Sequence, residues 1–523
     1  MRAAMRLPIC LLVLLAALAS GCATLDRDHP SPSAHSVATP QQSLLGRAHA
    51  PVVAANAPRS GYALINNGVR ALATRAALAD LAERELDVQY YIWDRDEIGI
   101  VLMDRVLAAA DRGVRVRILL DDYLVAWDDA TLKALDRHPN VSVRVFNPYP
   151  GRARWTRTLQ MLGNLDTLGR RMHNKSFIVD GQVAVLGGRN IADHYFENSD
   201  ESNFRDIDVL LTGPAAQQAA RNFDTYWNSP IVVPAGAYPG EPDAQAVARL
   251  RGEAAALRAK ADGPAATYER AKDEEKRRIV STAPFQWATA FAVAEPPERI
   301  DAESGQGSSA IAREHAVRRQ ATTKEMVVEA AYFVPGERGV ELLGALVKRG
   351  VRVRILTNSL SSTDVIAVHA GYQRYRAPLL AAGIELHEYR VDAPRPSPGW
   401  GKFRVGASTS ALHAKSVIYD RRWVWIGSAN FDPRSRHLNN ETGVMIDAPE
   451  LAERLLASAE IDFSDKNSWR LSLADPKDPA QGLRWHGLVG GQAAVLDDEP
   501  DSGLGRKLEL FFYGLIPGLE DLL

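Results

Sequence analysis

Apolar residues follow a helical spacing in some segments of the chain and a strand-like pattern in others. Both halves of the chain show these segments in the same order. Leu72 to Leu86 carry apolar residues at helical spacing, and the β-branched and aromatic residues of Asp87 to Trp93 are typical of a strand. A helix is then predicted over Gly99 to Asp111, followed by the strand VRVRILLDD. The second half predicts a strand at Val327 to Val334, a helix at Val340 to Lys348 and the strand VRVRILTN. This alternation predicts an α/β fold with helices on both faces of a largely parallel or mixed sheet.

The chain contains an internal duplication. The octapeptide RGVRVRIL begins at Arg112 and again at Arg349, 237 positions later (349 against 112). A second pattern, H-x-K-x4-D, occurs in RMHNKSFIVDGQVAVLGGRN and in LHAKSVIYDRRWVWIGSAN, and its histidines are 240 positions apart (413 against 173). Two independent landmarks with nearly the same offset indicate two repeats of one unit. We expect the repeats to pack about a pseudo-twofold axis.

Composition bounds the class of protein. With 523 residues, 46% hydrophobic and 24% charged, the chain is long enough for two or three globular domains. A net charge of −2 gives no global basic field, which argues against a protein that binds long nucleic acid through many phosphates. The two cysteines, Cys10 and Cys22, both lie at the extreme N-terminus, so the body of the protein can form no disulfide.

The N-terminus has the features of a secretion signal. Arg2 and Arg6 precede an apolar run, Leu11 to Leu18, that is too short to span a membrane as a mature helix. The small residues before Cys22 resemble a bacterial lipobox, which implies cleavage before this cysteine and lipidation of its thiol. The alternative is an ordinary signal peptide with an incidental cysteine. Ala23 is not the Asp that favours retention at the inner membrane in such proteins, so the expected location is an outer-membrane anchor that faces the periplasm.

The sequence divides into six segments. They are a signal peptide (1–21), an anchor and flexible linker (22–60), a first α/β domain (61–240), a helical insertion or connector (241–305), a second α/β domain (306–470) and a tail (471–523). Within the insertion, residues 244–278 predict two solvated helices broken at Gly263-Pro264. A connector between domains is favoured over a substrate lid. The apolar tail from Lys507 is broken by glycine and proline, and packing onto the body is favoured over a membrane-touching edge.

The duplicated motif supplies chemistry suited to a phosphodiester. Each copy contains one histidine, one lysine and one aspartate: His173, Lys175 and Asp180, then His413, Lys415 and Asp420. Strand alternation places the histidine and lysine of each copy on one face. If the repeats pack face to face, two imidazoles and two ammonium groups converge on one cleft. One histidine can then attack phosphorus while the other protonates the leaving alcohol, without a metal or other cofactor.

The motif resembles the signature of the phospholipase D superfamily, which is a duplicated HKD motif. The continuation of the first copy, GGRNIADHYF from Gly187 to Phe196, is similar to the bacterial cardiolipin synthases of the type C branch. The resemblance covers most of the chain from about Gly61 to Trp469. It implies two phospholipase D-like α/β repeats, each with a mixed sheet flanked by helices.

The resemblance also implies roles for individual residues. Lys175 and Lys415 bind phosphate oxygens, and Asn190 and Asn430, each 17 positions after its histidine, donate hydrogen bonds beside them. His173 is the nucleophile, a choice that the spacing alone leaves open, and His413 is the general acid and base. Ser428 replaces Gly188 of the first copy and is a candidate to offer a hydroxyl to the phosphate.

The aspartates of the motif are expected to be structural, because their odd spacing from the lysines turns Asp180 and Asp420 away from the pocket. Each histidine then needs another acid to fix its tautomer and raise its basicity. In the second half the matching residue is Glu441. Alignment of Pro214 with Pro449 makes Asp206 its equivalent in the first half, with Asp208 and Glu201 as alternatives.

The resulting hypothesis is a phosphatidyl transferase that forms cardiolipin through a phosphohistidine. Its expected substrates are phosphatidylglycerol and a second phospholipid, for which phosphatidylethanolamine is a candidate. The alternatives are hydrolysis by a phospholipase D reaction, a periplasmic nuclease of the same superfamily, and a non-catalytic lipid-binding scaffold. The scaffold is disfavoured because both motifs retain His, Lys and Asp.

Overall fold

The computed structural model describes residues 25–26, 29–37, 42–152, 160, 168–260, 264–301, 309–393, 409–516 and 518–519. The predicted signal peptide and the predicted lipidation site, Cys22, lie outside the described residues. In the described ranges no helix combines the length and the apolarity needed to cross a membrane.

The first repeat alternates strands and helices as the sequence predicts. Its helices are α1 (Leu44–Asn56), α2 (Gly68–Leu81), α3 (Glu97–Asp111), α4 (Asp129–Asp136) and α5 (Pro214–Trp227). Its strands are β1 (Ser60–Ile65), β2 (Glu85–Trp93), β3 (Arg115–Val125), β4 (Val141–Phe146), β5 (Ser176–Val179), β6 (Val183–Gly187), β7 (Ser202–Arg205), β8 (Asp208–Thr212) and β9 (Val232–Pro234).

The connector and the second repeat follow. Two helices, α6 (Ala246–Ala259) and α7 (Pro264–Val280), lead to β10 (Gln286–Ala294). The helices of the second repeat are α8 (Ala310–Ala321), α9 (Gly336–Lys348), α10 (Ile366–Tyr372), α11 (Arg376–Ala381), α12 (Pro449–Asp462) and α13 (Leu504–Gly514). Its strands are β11 (Glu325–Ala330), β12 (Arg352–Asn358), β13 (Glu385–Tyr389), β14 (Thr409–Leu412), β15 (Lys415–Tyr419), β16 (Trp423–Gly427), β17 (Thr442–Asp447), β18 (Ser468–Leu473), β19 (Leu483–Val489) and β20 (Gln492–Leu496).

The two repeats have the same mixed sheet. In the first, β4, β3 and β2 are parallel, and β5, β6, β8 and β1 continue the sheet antiparallel. In the second, β13, β12 and β11 are parallel, and β15, β16, β17 and β10 follow in the same way. The sheets join where β1 pairs antiparallel with β10, Ser60 opposite Ala288. Because β1 and β10 hold equivalent places, this pairing relates the repeats by a pseudo-twofold axis.

A shared apolar core holds the repeats together. Buried residues of β6 and β8, such as Leu186 and Val209, belong to the same cluster as Val424 and Ile446 of β16 and β17. Helices α5 and α12, which begin at equivalent prolines, pack on this cluster. Burial of apolar surface from both halves fixes their relative position, at about 25 cal/mol for each Å² removed from water. The repeats therefore share one apolar cluster at their interface, in addition to the separate core of each repeat.

Two regions differ from the prediction. The expected flexible linker contains helix α1, whose Ser43 caps Gly46 N–H and whose buried His49 contacts Thr212 Oγ1 at 2.8 Å. Tertiary contacts thus order a segment whose Pro- and Ala-rich composition suggested a spacer. The helical connector also ends in β10, which is the second repeat's counterpart of β1. Its helices are only partly solvated, since Tyr268 of α7 is buried.

The tail forms the amphipathic helix α13. Leu510 is buried in the core of the second repeat, whereas Leu508, Phe511 and Phe512 are 58–59% exposed. Arg506 also ties the helix to the body through the Thr363 carbonyl oxygen at 3.1 Å. One face therefore packs onto the body, as expected, and the other face remains exposed.

Candidate active site

Cross-pairing of backbone between the repeats builds the site. In one half, β14 runs parallel to β7, with Leu412 opposite Arg205, and His413 N–H donates to the Arg205 carbonyl oxygen at 2.8 Å. In the other, Met172 forms a parallel bridge with Asn440, and His173 N–H donates to the Asn440 carbonyl oxygen at 2.8 Å. Each histidine therefore lies beside the residue that precedes an acid of the opposite repeat.

Each buried histidine has a carboxylate partner from the other half. His173 Nδ1 lies 2.8 Å from Glu441 Oε2, and His413 Nδ1 lies 2.5 Å from Asp206 Oδ2. A carboxylate accepts the proton of Nδ1, which leaves Nε2 of each ring free for chemistry. The structure thus pairs both of the acids expected from the sequence with histidines, and it assigns Glu441 to His173.

The alternative acids are engaged elsewhere. Asp208 accepts from Arg75 Nη2 at 2.9 Å and lies 3.3 Å from Arg189 Nη1, so it forms a buried ion pair. The Glu201 side chain is exposed, and its carbonyl oxygen accepts from Thr409 N–H at 2.9 Å. Neither carboxylate reaches a histidine.

Glu441 is held by more than the histidine. Ser428 Oγ donates to Oε2 at 2.5 Å and Ser435 Oγ donates to Oε1 at 2.7 Å. Burial raises the pKa of the Glu441 carboxyl, whereas His173, Lys175 and the Ser428 hydrogen bond lower it. The lowering effects together are larger, so the pKa of Glu441 is below its usual value. The group is therefore a carboxylate at neutral pH, and it favours positive charge on His173.

The hydroxyl of Ser428 has a different use from the one the sequence suggested. It donates to Glu441 and accepts from Thr442 N–H at 3.0 Å, so its proton is not offered to a phosphate. The equivalent position, Gly188, has no room for a side chain, because a Cβ there would lie 2.2 Å from Asp206 Oδ1. Both residues therefore position the acid of their own half.

The two lysines are buried near the histidines. Lys175 Nζ donates to the His173 carbonyl oxygen at 2.6 Å, and Lys415 Nζ donates to the His413 carbonyl oxygen at 2.5 Å. Burial lowers the pKa of Lys175 to about 7 and the pKa of Lys415 to about 8, and the charge of Lys415 adds to the effect at Lys175. Such ammonium groups gain the most from an anion, because a phosphate restores the charge balance that burial removed.

Both histidines are neutral at neutral pH. Burial lowers the pKa of His173 to about 4, although Glu441 acts in the opposite direction. Burial also lowers the pKa of His413 well below its usual value, and the charges of Lys415, Lys175 and His173 contribute. His173 therefore influences the charge of His413 across the interface between the repeats.

Asp180 and Asp420 lie away from the site, at equivalent turns. Asp180 Oδ1 accepts from the N–H groups of Arg84 and Glu85, each at 2.9 Å. Asp420 Oδ1 accepts from the N–H groups of Lys324 and Glu325 at 2.7 and 3.0 Å. Each aspartate thus fixes the start of the strand, β2 or β11, that lies beside the motif hairpin.

The two asparagines differ. Asn190 Nδ2 donates to Tyr195 Oη at 2.8 Å, and its Oδ1 accepts from Ile92 N–H at 3.2 Å. Asn430 Oδ1 is buried without a hydrogen-bond partner among the described residues. Phosphate binding by either asparagine stays a prediction.

Aromatic rings enclose the reacting groups. Tyr91, near the end of β2, packs edge-on against His173 with ring centroids 4.9 Å apart. Its counterpart Tyr332 has its ring centroid 6.0 Å from Lys415 Nζ and donates from its hydroxyl to Asp364. Tyr332 was not predicted as a site residue, although its offset from Tyr91 (332 against 91) is nearly that of the histidines.

Two further aromatic residues were missed because no repeat marks them. Tyr195 and Phe204 contact the His413 ring, with centroids 4.8 and 5.0 Å away. In the portion of the chain that the structure describes, no group of three or more His, Cys, Asp or Glu side chains is arranged to hold a metal ion.

Comparison with known proteins agrees with this geometry. A family model described as "Cardiolipin synthase, PLD-like domain" matches residues 76–227 and 319–462, one match in each repeat. Cardiolipin synthase C of Escherichia coli (strain K12) is 35% identical over 485 residues, which is 90% of this chain and 98% of that protein. Cardiolipin synthase B of the same strain is 25% identical over 70% of this chain and 71% of its own length.

A solved structure shares the fold. The phosphatidylserine synthase of Haemophilus influenzae Rd KW20 superposes with a TM-score of 0.54, at 12% sequence identity, over 92% of this chain and all of that one. Both repeats and their mutual arrangement therefore belong to a known two-domain architecture.

Proposed function

The chain belongs to the family of cardiolipin synthases with phospholipase D-like domains, and on this premise we propose that it transfers a phosphatidyl group to phosphatidylglycerol and forms cardiolipin. The pair of crossed histidine–carboxylate contacts carries the proposal. A phosphatidyl group is a phosphodiester, and its transfer needs one nucleophile and one proton donor on opposite sides of phosphorus.

In the first half-reaction, Nε2 of His173 attacks the phosphorus of the donor lipid. The N–P bond forms, the bond from phosphorus to the headgroup oxygen breaks, and protonated His413 gives its Nε2 proton to that oxygen. Glu441 stabilises the positive charge that develops on His173. The product is a phosphatidyl-histidine and a free headgroup alcohol.

In the second half-reaction, the hydroxyl of phosphatidylglycerol attacks the phosphohistidine. Neutral His413 takes the hydroxyl proton, the new O–P bond forms, and the N–P bond to His173 breaks. Asp206 holds the His413 ring through Nδ1, so the same Nε2 serves as acid in the first step and as base in the second. The enzyme returns to its starting protonation state.

Lys175 and Lys415 supply the charge that a phosphodiester needs. Their ammonium groups are in place before the substrate arrives, and burial strengthens their attraction for the non-bridging oxygens. The negative charge of the ester in turn raises the pKa of both histidines. Binding of substrate therefore helps to protonate His413 for the first step.

The experiment is a product analysis with purified protein in vesicles of phosphatidylglycerol and phosphatidylethanolamine. Mass spectrometry should detect cardiolipin, and both His173→Ala and His413→Ala should abolish it. The matched control is His486→Ala, because His486 contacts Ser472 at the far β18–β19 edge. Phosphatidic acid as the sole product would replace transfer by hydrolysis. Cleaved DNA with unchanged lipid would indicate a nuclease.

The intermediate has its own test. A short incubation with radiolabelled donor lipid, quenched in alkali, should leave label on the protein, since phosphohistidine survives base and is lost in acid. His173→Ala should prevent labelling. Label on His413 in place of His173 would reverse the roles of the two histidines.

We also propose that the enzyme is tethered beside its substrates. The lipobox-like segment before Cys22 supports a lipid anchor, and several buried acyl chains hold far more firmly than one. An outer-membrane location that faces the periplasm fits the residue after the cysteine.

A further inference from the structure

A second cavity lies behind the catalytic acid, between α8 and α9. It has a volume of about 370 Å³, within the range of about 300–1,000 Å³ that is typical of ligand pockets. Glu441, the carboxylate partner of His173, is one of the residues that line it. The cavity therefore adjoins the active site without including either catalytic histidine.

The faces of two helices line the cavity. Ala312, His315, Ala316 and Arg319 recur at helical spacing on α8 and form one wall. Arg338, Gly339, Leu342 and Leu343 of α9 form another part of the lining. The apolar side chains of Met326, Phe333 and Phe431 also contribute. The walls are mostly apolar.

Most polar groups of the walls already have protein partners. Glu441 is bonded to His173, Ser428 and Ser435. Glu295 accepts from Ala310 N–H at 3.0 Å, and His315 Nδ1 lies 2.6 Å from Tyr419 Oη. An occupant of the inner part therefore needs few hydrogen-bonding groups, which suits a hydrocarbon chain.

Three arginines line the same cavity: Arg319, Arg338 and Arg436. Arg338 and Arg436 are exposed and Arg319 is half-buried. Among the described residues, no carboxylate lies within ion-pair distance of any of them. Burial lowers the pKa of both Arg319 and Arg436. Asp432, which also lines the cavity, raises the pKa of Arg436, whereas Arg338 lowers the pKa of both Arg319 and Arg436. The three guanidinium groups are therefore close enough to influence one another.

We propose that this cavity binds one hydrocarbon chain of an anionic lipid, with the anionic headgroup on Arg319, Arg338 and Arg436. The apolar walls can contact the hydrocarbon chain of such a lipid. The positively charged arginines can bind its anionic headgroup. The planar guanidinium groups match phosphate or carboxylate oxygens. The site is separate from the catalytic phosphate site and does not depend on the proposed transfer reaction.

The test is calorimetric titration of the full-length protein with decyl phosphate, which joins a compact anion to a single chain. Methyl phosphate and decanol, which present the anion or the chain alone, should bind at least tenfold more weakly. Decanoate distinguishes the two sources of the anion. Stronger binding of decyl phosphate assigns the site to a phospholipid, and stronger binding of decanoate assigns it to a fatty acid.

Variants locate the binding. Arg338→Ala should weaken decyl phosphate binding roughly tenfold, as expected for loss of a hydrogen-bonded charge. Arg422→Ala, which removes an exposed ion pair with Asp447, is the control and should leave binding unchanged. Ala316→Phe should fill the cavity and block binding. Ala321→Phe, at an exposed position of the same helix, is its control.

One result would overturn the proposal. If decyl phosphate binding is unchanged in Arg338→Ala and Ala316→Phe but is lost in Lys175→Met, the probe occupies the catalytic site alone. Cardiolipin formation is measured separately on the same variants, so failure of this site and failure of the proposed reaction are distinguishable.

Discussion

His173 takes its carboxylate partner from the opposite repeat, with 2.8 Å between its Nδ1 and Glu441 Oε2. His413 and Asp206 repeat the exchange in the other direction. Neither repeat therefore holds a complete histidine–acid pair of its own. This relationship explains why the chain carries two copies of a motif that provides only one histidine each.

Glu441→Gln and Asp206→Asn should each reduce the transfer rate by about 10²–10⁴-fold while the protein stays folded, since the amide no longer fixes the tautomer of its histidine. Steady-state kinetics and a thermal melt are the measurements. Asp447→Asn, which disrupts an exposed pair with Arg422, is the control. Wild-type rates in either site variant would show that the crossed acids are not needed.

The pH dependence of kcat/KM should have two limbs. His173 must be neutral to attack, so activity falls as the pH drops through its pKa of about 4. On the alkaline side the lysines must be charged to bind the ester, so 1/KM falls as the pH rises through their pKa values of about 7 and about 8. Loss of the His413 proton, which the first step consumes, lowers the rate of that step separately.

Lys175→Arg tests the lysine contribution to the alkaline limb, measured as 1/KM, because arginine stays protonated throughout. The limb should then move upward, toward the pKa of Lys415. Lys348→Arg at the end of α9 should leave the profile unchanged. An unshifted alkaline limb in Lys175→Arg would assign it to another group.

Asp180→Asn should lower the free energy of unfolding by about 1–3 kcal/mol, because the buried carboxylate accepts backbone N–H groups at the start of β2. Asp420→Asn should cost less, since its contacts are more exposed. Urea denaturation measures both. Activity per folded molecule should be retained, and a selective loss of rate at full stability would mean that the aspartates act in the chemistry.

Gly188→Ala should reduce activity on the order of a hundredfold, because the added Cβ would lie 2.2 Å from Asp206 Oδ1 and displace it from His413. Gly252→Ala is the matched control, since a Cβ at that helical position meets nothing within 4 Å. If both substitutions are equally harmless, Asp206 tolerates displacement and its contact with His413 is not critical.

Cys22→Ser should release the protein from the membrane fraction of cells and abolish incorporation of labelled palmitate. Lipidation requires the thiol, and loss of several acyl chains removes the anchor. Cys10→Ser, directly before the apolar run, is the control and should change neither property. Membrane association that survives Cys22→Ser would favour an ordinary signal peptide and a different mode of attachment.

Most of the site residues that could be predicted from local sequence belong to the duplicated motif. The helix and strand order follows from apolar spacing, because each element must bury one face or stripe. Strand alternation likewise predicted that Asp180 faces away from the active site, because it lies an odd number of positions from Lys175. The helix at Leu44–Asn56 was missed because its order comes from contacts such as that of His49 with Thr212, which lie far apart in sequence.

By itself, the sequence determined that there are two equivalent α/β units and that each provides a histidine and a lysine. It favoured Glu441 and Asp206 as the acids but left Asp208 and Glu201 as alternatives to Asp206. Only the tertiary structure decided which acid serves which histidine. That assignment depends on cross-pairing of Asn440 with Met172 and of Arg205 with Leu412, between segments more than 200 positions apart. Local spacing carries no information about such pairing, because the packing of two folded units against each other sets it.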